Sequence, residues 1–157
     1  MILYFLRHGL AGDSTTWQGD DRERPLTSKG IKHMEQSAAA FRKLGVKVDA
    51  ILSSPLKRAM QTASIVAKAL EMEVIQDERL VYGFGLERLE QIISENPKAS
   101  ALMLVGHEPD FSSVVGELTG GSEIVIKKGG LARVDLIEGS ALQGQLVWLL
   151  PPKNLLS

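Results

Sequence analysis

Two arginines and two histidines lie at points in the sequence where they could act on a phosphate group. Arg7 and His8 end one apolar run, His107 follows another, and Arg58 comes soon after a third. Guanidinium groups match phosphate oxygens in charge and shape, and each charge-assisted hydrogen bond contributes roughly 1.5 to 3 kcal/mol. A histidine adds a nucleophile or proton carrier that works near neutral pH. These four residues together predict a phosphate pocket.

The composition restricts the class of protein. With 157 residues, 44% of them hydrophobic and 24% charged, the chain is expected to form one globular domain over residues 1–157. A net charge of -1 gives no long-range attraction to nucleic acid or to an anionic membrane. The absence of cysteine excludes a disulfide framework, a thiolate zinc site and a cysteine-nucleophile phosphatase. Three scattered histidines give no recognisable metal site, so we expect neither a metal nor another cofactor.

The N-terminal apolar run is too short for a signal sequence or a membrane span. It lacks a basic flank and stops at Arg7 after six residues. We therefore interpret it as a buried first strand and expect a cytoplasmic protein with no membrane partner.

The segment after this strand combines a long loop with a helix. Residues 9–25 are polar and include the charged cluster 20–24, which is typical of a functional loop or of a solvated surface loop. A helix is then predicted from Thr27 as its N-cap to a stop at Gly45. The residues expected on its buried face are Ile31, Met34, Ala38, Phe41 and Leu44.

A short strand over 49–52 precedes a second predicted helix. Ser54 is interpreted as its N-cap and Pro55 as its first residue, and the helix continues to Leu70. Arg58 then lies in the first turn with Thr62 one turn later on the same flank, so that both can face whatever lies beyond the preceding strand. Its predicted core residues are Leu56, Met60, Ala63, Ala67 and Leu70.

The rest of the chain continues the alternation of strands and helices. We predict a minor strand at 73–75, helices at 86–95 and 111–118, a buried strand at 101–105, and an antiparallel pair, 131–137 and 145–150, joined through Glu138-Gly139-Ser140. This order predicts an α/β fold: a three-layer αβα sandwich with a mostly parallel sheet and an antiparallel C-terminal edge.

In such sheets, ligands bind beyond the carboxyl ends of the strands, where His8, Arg58 and His107 are all expected. Two buried arginines without an anion would be unfavourable, which supports the phosphate pocket. Neither a three-glycine dinucleotide motif nor a P-loop lysine motif is present.

The ordered motifs resemble those of the histidine phosphatase superfamily, also called phosphoglycerate-mutase-like, whose hallmark is Arg-His-Gly after the first strand. Within it, they are most similar to the short phosphohistidine phosphatases called SixA. The matching segments are Leu6-Arg7-His8-Gly9, Arg24-Pro25-Leu26-Thr27 with Gly30, Ser53-Ser54-Pro55 through Arg58, Gln61-Thr62-Ala63, and Val105-Gly106-His107.

This resemblance implies a two-step displacement without a metal. His8 would attack phosphorus to form a phosphohistidine enzyme, and water would then release phosphate. Arg7, Arg58 and His107 would bind the phosphoryl oxygens and stabilise their charge. The implied partner is a phosphohistidine-bearing protein, such as a phosphorelay component, and phosphate, vanadate or sulfate would be pocket anions.

The sequence departs from the superfamily at the proton donor. Many members carry an acidic residue about two positions beyond a leucine after the second helix, whereas here Tyr82 follows Leu80. Glu78 is displaced, and Glu108, beside His107, is the possible donor. An alkoxide leaving group needs protonation more than a phosphorylated imidazole does, so the departure favours phosphohistidine as the substrate.

Two other functions stay open at this stage. One is a small phosphomonoesterase for sugar phosphates or nucleotides that uses the same nucleophile. The other is a binding module that holds phosphate without turnover, although such a module would have no need of the His8 nucleophile.

Overall fold

The computed structural model describes residues 1–139 and 141–156 and shows one six-stranded sheet. The sheet order is β3-β2-β4-β1-β5-β6; the first four strands in this order are parallel, and β5 pairs antiparallel with β1 on one side and with β6 on the other. The strands are β1 (Ile2–Arg7), β2 (Ala50–Ser53), β3 (Val74–Gln76), β4 (Ala101–Gly106), β5 (Leu131–Leu136) and β6 (Gly144–Leu150).

Helices cover both faces of this sheet. They are α1 (Ser28–Lys43), α2 (Lys57–Leu70), α3 (Leu86–Glu95) and α4 (Asp110–Leu118). In β1, Tyr4 and Leu6 pack with α1 and α2, whereas Leu3 and Phe5 pack with α3 and α4. Alternation of buried side chains between two apolar layers explains the continuous apolar runs of the central strands. The predicted three-layer α/β fold is therefore confirmed.

The crevice between β1 and β4 lies between two neighbouring strands whose following helices pack on opposite faces of the sheet. From β1 the chain continues to α1 on one face, and from β4 to α4 on the other. Ligands of open α/β sheets bind at such a switch point. Because Arg7 pairs with Gly106 in register, His8 and His107 both leave the sheet at this crevice.

Most predicted boundaries are confirmed, with two corrections around α1 and α2. The second helix begins at Lys57 with Leu56 as its N-cap, so Ser54 and Pro55 lie before it. Leu44, predicted to face the core, is 46% exposed because it lies at the C-cap, beyond the last helical turn that packs on the sheet. Ser140, predicted in the final hairpin connection, lies outside the described residues.

No helix within residues 1–139 and 141–156 combines the length and apolarity needed to cross a membrane.

The start of α1 is packed directly on the backbone that follows His8. Thr27 caps the helix by accepting the Gly30 amide at 2.9 Å, and its own amide donates to the Leu10 carbonyl at 3.0 Å. A Cβ at Gly30 would lie 2.1 Å from that carbonyl oxygen. Only glycine therefore allows α1 to approach the loop that holds His8 in place.

We expect Gly30→Ala to destabilise the fold by about 1 to 3 kcal/mol, although alanine is normally the better helix former. The added methyl group must push α1 away from Leu10. Urea denaturation measures the change, and Gly85→Ala is the control because its Cβ meets no atom within 4 Å. Equal stability of the Gly30 variant and the wild type would contradict this packing argument.

Candidate active site

His8 is held in one tautomer at the end of β1. Its backbone amide donates to the Gly106 carbonyl at 3.1 Å, and its Nδ1 lies 2.8 Å from the Gly9 carbonyl oxygen. Because a carbonyl oxygen only accepts, Nδ1 carries the proton. A neutral His8 therefore presents an unprotonated Nε2, the form that a nucleophile requires.

The Gly9 amide is tied to α2 by Thr62. Its N–H donates to Thr62 Oγ1 at 3.0 Å, and that hydroxyl donates to the Arg58 carbonyl at 2.8 Å. The sequence placed Thr62 on the flank of Arg58. The structure shows that Thr62 positions the turn after His8, so the nucleophile and Arg58 are built on one connected backbone.

His107 lies beside His8 and is bonded to Ser54. The ring centroids of the two histidines are 5.4 Å apart. His107 Nε2 lies 2.7 Å from Ser54 Oγ, which also accepts the Leu56 amide at 3.3 Å. When Ser54 donates its hydroxyl proton to Nε2, a neutral His107 carries its proton on Nδ1 and can donate it to an anion.

Arg7 and Arg58 place their guanidinium groups at the same site. Arg7 Nη1 donates to the Ile126 carbonyl at 3.0 Å. Arg58 is fully buried, and its two terminal nitrogens bond to Asp21 and Tyr82. Within the described chain, Arg7 Nε, Arg58 Nε and His107 Nδ1 are buried nitrogens without a hydrogen-bond partner. Such groups are unfavourable unless an acceptor meets them.

The loop over residues 9–25 folds onto the site through Asp21. Its carboxylate accepts from Arg58 Nη2 at 3.0 Å and from Arg24 Nε at 2.9 Å, and its carbonyl accepts from Arg58 Nη1 at 2.9 Å. Arg24 lowers the pKa of Asp21 most, and Arg58 adds to the effect. The charged cluster therefore places the Asp21 carboxylate against Arg58.

Glu108 lies at the site, but its carboxylate is engaged elsewhere. Its two oxygens accept from the Ser112 amide at 2.8 Å and from the Ser112 hydroxyl at 2.6 Å, in the first turn of α4. The Glu108–Pro109 peptide bond is cis. Its side chain thus braces the start of α4 next to His107.

All five residues selected from the sequence line one cavity of about 460 Å³: Arg7, His8, Arg58, His107 and Glu108. Sequence reasoning assigned no role to Arg24 or Lys128, which also line it, and considered Tyr82 only as a departure from the family pattern. Arg24 belongs to a quoted motif, whereas Lys128 has no local signal. Lys128 is brought in because the Gly129 amide donates to the His8 carbonyl at 2.9 Å.

Burial keeps both histidines neutral. Burial lowers the pKa of His8 to about 3; the Gly9 hydrogen bond opposes the shift, and His107, Arg58 and Arg7 increase it. Burial and then the Arg58 charge lower the pKa of His107 to about 4. Near neutral pH, His8 is therefore in its nucleophilic form.

Comparison with known proteins identifies the family. Residues 3–101 match the model of the histidine phosphatase superfamily, branch 1. The chain belongs to this superfamily. An uncharacterized protein of Picosynechococcus sp. is 36% identical over 99% of both chains.

Solved structures share the fold of this histidine phosphatase. The protein histidine phosphatase SixA in complex with tungstate superposes with a TM-score of 0.87, with 24% identity over 99% of both chains. The alpha-ribazole phosphatase of Shigella flexneri superposes with a TM-score of 0.77, with 18% identity over 97% of both chains.

The donors of the site suit an anion. Three arginines and two histidines line the cavity, and among residues 1–139 and 141–156 no group of three His, Asp or Glu side chains is placed to bind a metal ion. The arrangement can bind a phosphoryl group and present a neutral imidazole to it.

We expect His8 and His107 to stay neutral above about pH 5 without a ligand, because their pKa values are lowered by burial. A bound phosphate dianion favours the cationic form, so it should raise the pKa of His107. NMR titration of the ring nitrogens, with and without phosphate or vanadate, measures both effects. A His107 titration that phosphate leaves unchanged would contradict the second expectation.

Proposed function

We propose that this histidine phosphatase hydrolyses phosphohistidine on proteins through a phosphohistidine intermediate at His8. The observation that carries the proposal is the His8 Nδ1 hydrogen bond to the Gly9 carbonyl, which leaves Nε2 as the nucleophilic nitrogen beside two arginines and a second histidine. A neutral, oriented imidazole next to anion-binding groups is the arrangement that phosphoryl transfer requires.

The first step forms a bond between His8 Nε2 and phosphorus and breaks the P–N bond of the substrate. The electron pair goes to the leaving imidazole, which departs neutral when its other nitrogen is protonated. Arg7 Nε, Arg58 Nε and His107 Nδ1 supply donors to the equatorial oxygens. Their alignment stabilises charge without a reorganisation of solvent.

The second step uses water. Its oxygen bonds to phosphorus, the P–Nε2 bond breaks, and the electron pair returns to His8. The proton lost by water passes to phosphate or solvent. His8 then regains the neutral tautomer fixed by Gly9.

The position of Glu108 supports a substrate with a good leaving group. Both of its carboxylate oxygens are bonded to Ser112, and the family position for an acidic donor holds Tyr82. A phosphorylated imidazole leaves with less help from an acid than an alcohol does. This weighs toward phosphohistidine and against an alkyl phosphate.

A small-molecule phosphomonoesterase is the second candidate. The cavity of about 460 Å³ is large enough for a small phosphate ester. The superposed alpha-ribazole phosphatase is named as a phosphatase of a small molecule. The two candidates share the His8 chemistry and differ in the leaving group.

We expect the wild type to release phosphate from a phosphohistidine-bearing protein and to acquire an acid-labile phosphoryl label. His8→Ala should lower the release at least about a thousandfold and abolish the label, because it removes the nucleophile. His33→Ala is the matched control, since His33 lies on α1 and does not line the cavity. A labelled His8→Ala protein, or phosphate binding by the wild type without any turnover, would refute the mechanism.

We expect Glu108→Gln to lower the rate on phosphohistidine by less than about tenfold, because the leaving imidazole needs little acid and the Glu108 carboxylate is bonded to Ser112. Any alkyl phosphate turnover that uses Glu108 as its acid should fall further, about 100-fold, because the alkoxide needs a proton. Steady-state rates on both substrates measure the difference. Ser112→Ala is the control: it removes one hydrogen bond that ties Glu108 to the start of α4 and keeps the carboxyl group. It therefore distinguishes the effect of losing this contact from the effect of losing the acid. Equal, large losses on both substrates would contradict the argument about the leaving group.

A further inference from the structure

Tyr82 is an exposed aromatic side chain at the mouth of the cavity. It is 51% exposed, between buried Leu80 and buried Phe84, and it lines the cavity with His8 and His107. Within the described chain, no phenylalanine, tryptophan or other tyrosine lines it.

The segment that carries Tyr82 is fixed on both sides. Asp77 caps the 3₁₀ turn Glu78–Leu80, and Arg79 bonds to Asp77 and Glu95 at 2.7 to 2.9 Å. After Tyr82, the Gly83 amide donates to Asp110 Oδ2 at 2.8 Å. The ring is therefore presented on a rigid turn, which lowers the entropy lost when a ligand packs against it.

Consecutive ring contacts link His8 through His107 to Tyr82. His8 and His107 have centroids 5.4 Å apart, and His107 and Tyr82 have centroids 5.0 Å apart with a 39° tilt. The exposed fractions are 8%, 2% and 51%. The Tyr82 hydroxyl also accepts a hydrogen bond from Arg58 Nη2.

The direction of the displacement places the leaving group on the side of phosphorus opposite His8. His8 attacks from the buried floor, and the attacking and leaving atoms lie roughly in line across phosphorus. Because His8 is buried and Tyr82 is the exposed ring of the same cavity, the leaving group points toward the mouth of the cavity, on the side of Tyr82. A planar imidazole can pack against an aromatic ring there, whereas an aliphatic leaving group gains less.

We propose that Tyr82 is a specificity-determining residue whose ring packs against the departing imidazole of the substrate while its hydroxyl is bonded to Arg58. This rests on the proposed phosphohistidine phosphatase activity. The ring thus selects for the planar group, in the place where other family members have an acid.

Two substrates with the same P–N bond test the proposal. Phosphoimidazole has a planar ring as its leaving group, and phosphoramidate has only ammonia. The measured quantity is the ratio of kcat/KM for the two. Tyr82→Leu should lower this ratio roughly three- to tenfold, the contribution of one aromatic contact, whereas Tyr82→Phe, which keeps the ring, should leave it unchanged.

The outcomes separate this proposal from the one on which it depends. A Tyr82→Leu enzyme that loses activity equally on both substrates, or keeps the wild-type ratio, would overturn the role of the ring while phosphohistidine hydrolysis stands. A wild type that hydrolyses alkyl phosphates but neither phosphoimidazole nor a phosphohistidine protein would overturn the proposed function itself. A circular dichroism spectrum of each variant confirms that it is folded.

Discussion

The parallel pairing of β1 with β4 is the constraint on which the site depends. Register sets Arg7 opposite Gly106, and the His8 amide continues the ladder to the Gly106 carbonyl. One residue beyond each strand end, the two imidazoles then lie side by side, although 99 positions separate them in the chain. A one-residue slip would exchange the faces of every apolar side chain in β1, so the same burial that stabilises the sheet fixes the distance between the rings.

The site combines charge with burial at a cost in stability. The two histidines are neutral in the fold, with pKa values near 3 and 4, and in the unfolded chain they accept protons below about pH 6.5. Protonation therefore favours the unfolded chain, and the stability present near neutral pH is lost as the pH falls from about 6.5 toward 4. Buried donors on Arg7 and Arg58 add to this cost until an anion meets them. Function and stability thus oppose each other at this edge of the sheet.

Local patterns in the sequence predicted the fold and the positions of the main residues. Strands buried on both faces give short continuous apolar runs, and amphipathic helices give apolar residues at helical spacing, so both can be recognised without knowledge of distant contacts. Arg58 and His107 could be placed for the same reason: His107 follows a strand directly, and Arg58 lies in the first turn of the helix that comes after one. The role of Ser54 could not be predicted, because its partner His107 lies 53 positions away and its spacing before α2 imitates an N-cap. Lys128 had no local signal, since it is brought to the cavity by the hydrogen bonds of Gly129 and Gly130 with the backbones of His8 and Arg7.

Asp21 shows how the fold holds a buried arginine. Arg58 is fully buried, and an unpaired guanidinium there would be strongly unfavourable. The Asp21 carboxylate, itself half exposed, bonds to Nη2 and leaves Nε without a partner in the described chain. The terminal nitrogens of the guanidinium are thereby hydrogen-bonded within the protein, and Nε can donate to a bound anion. Because Arg24 shares the same carboxylate, the loop over residues 9–25 is tied to the site through charge, and an arriving anion meets arginines whose orientation is already set.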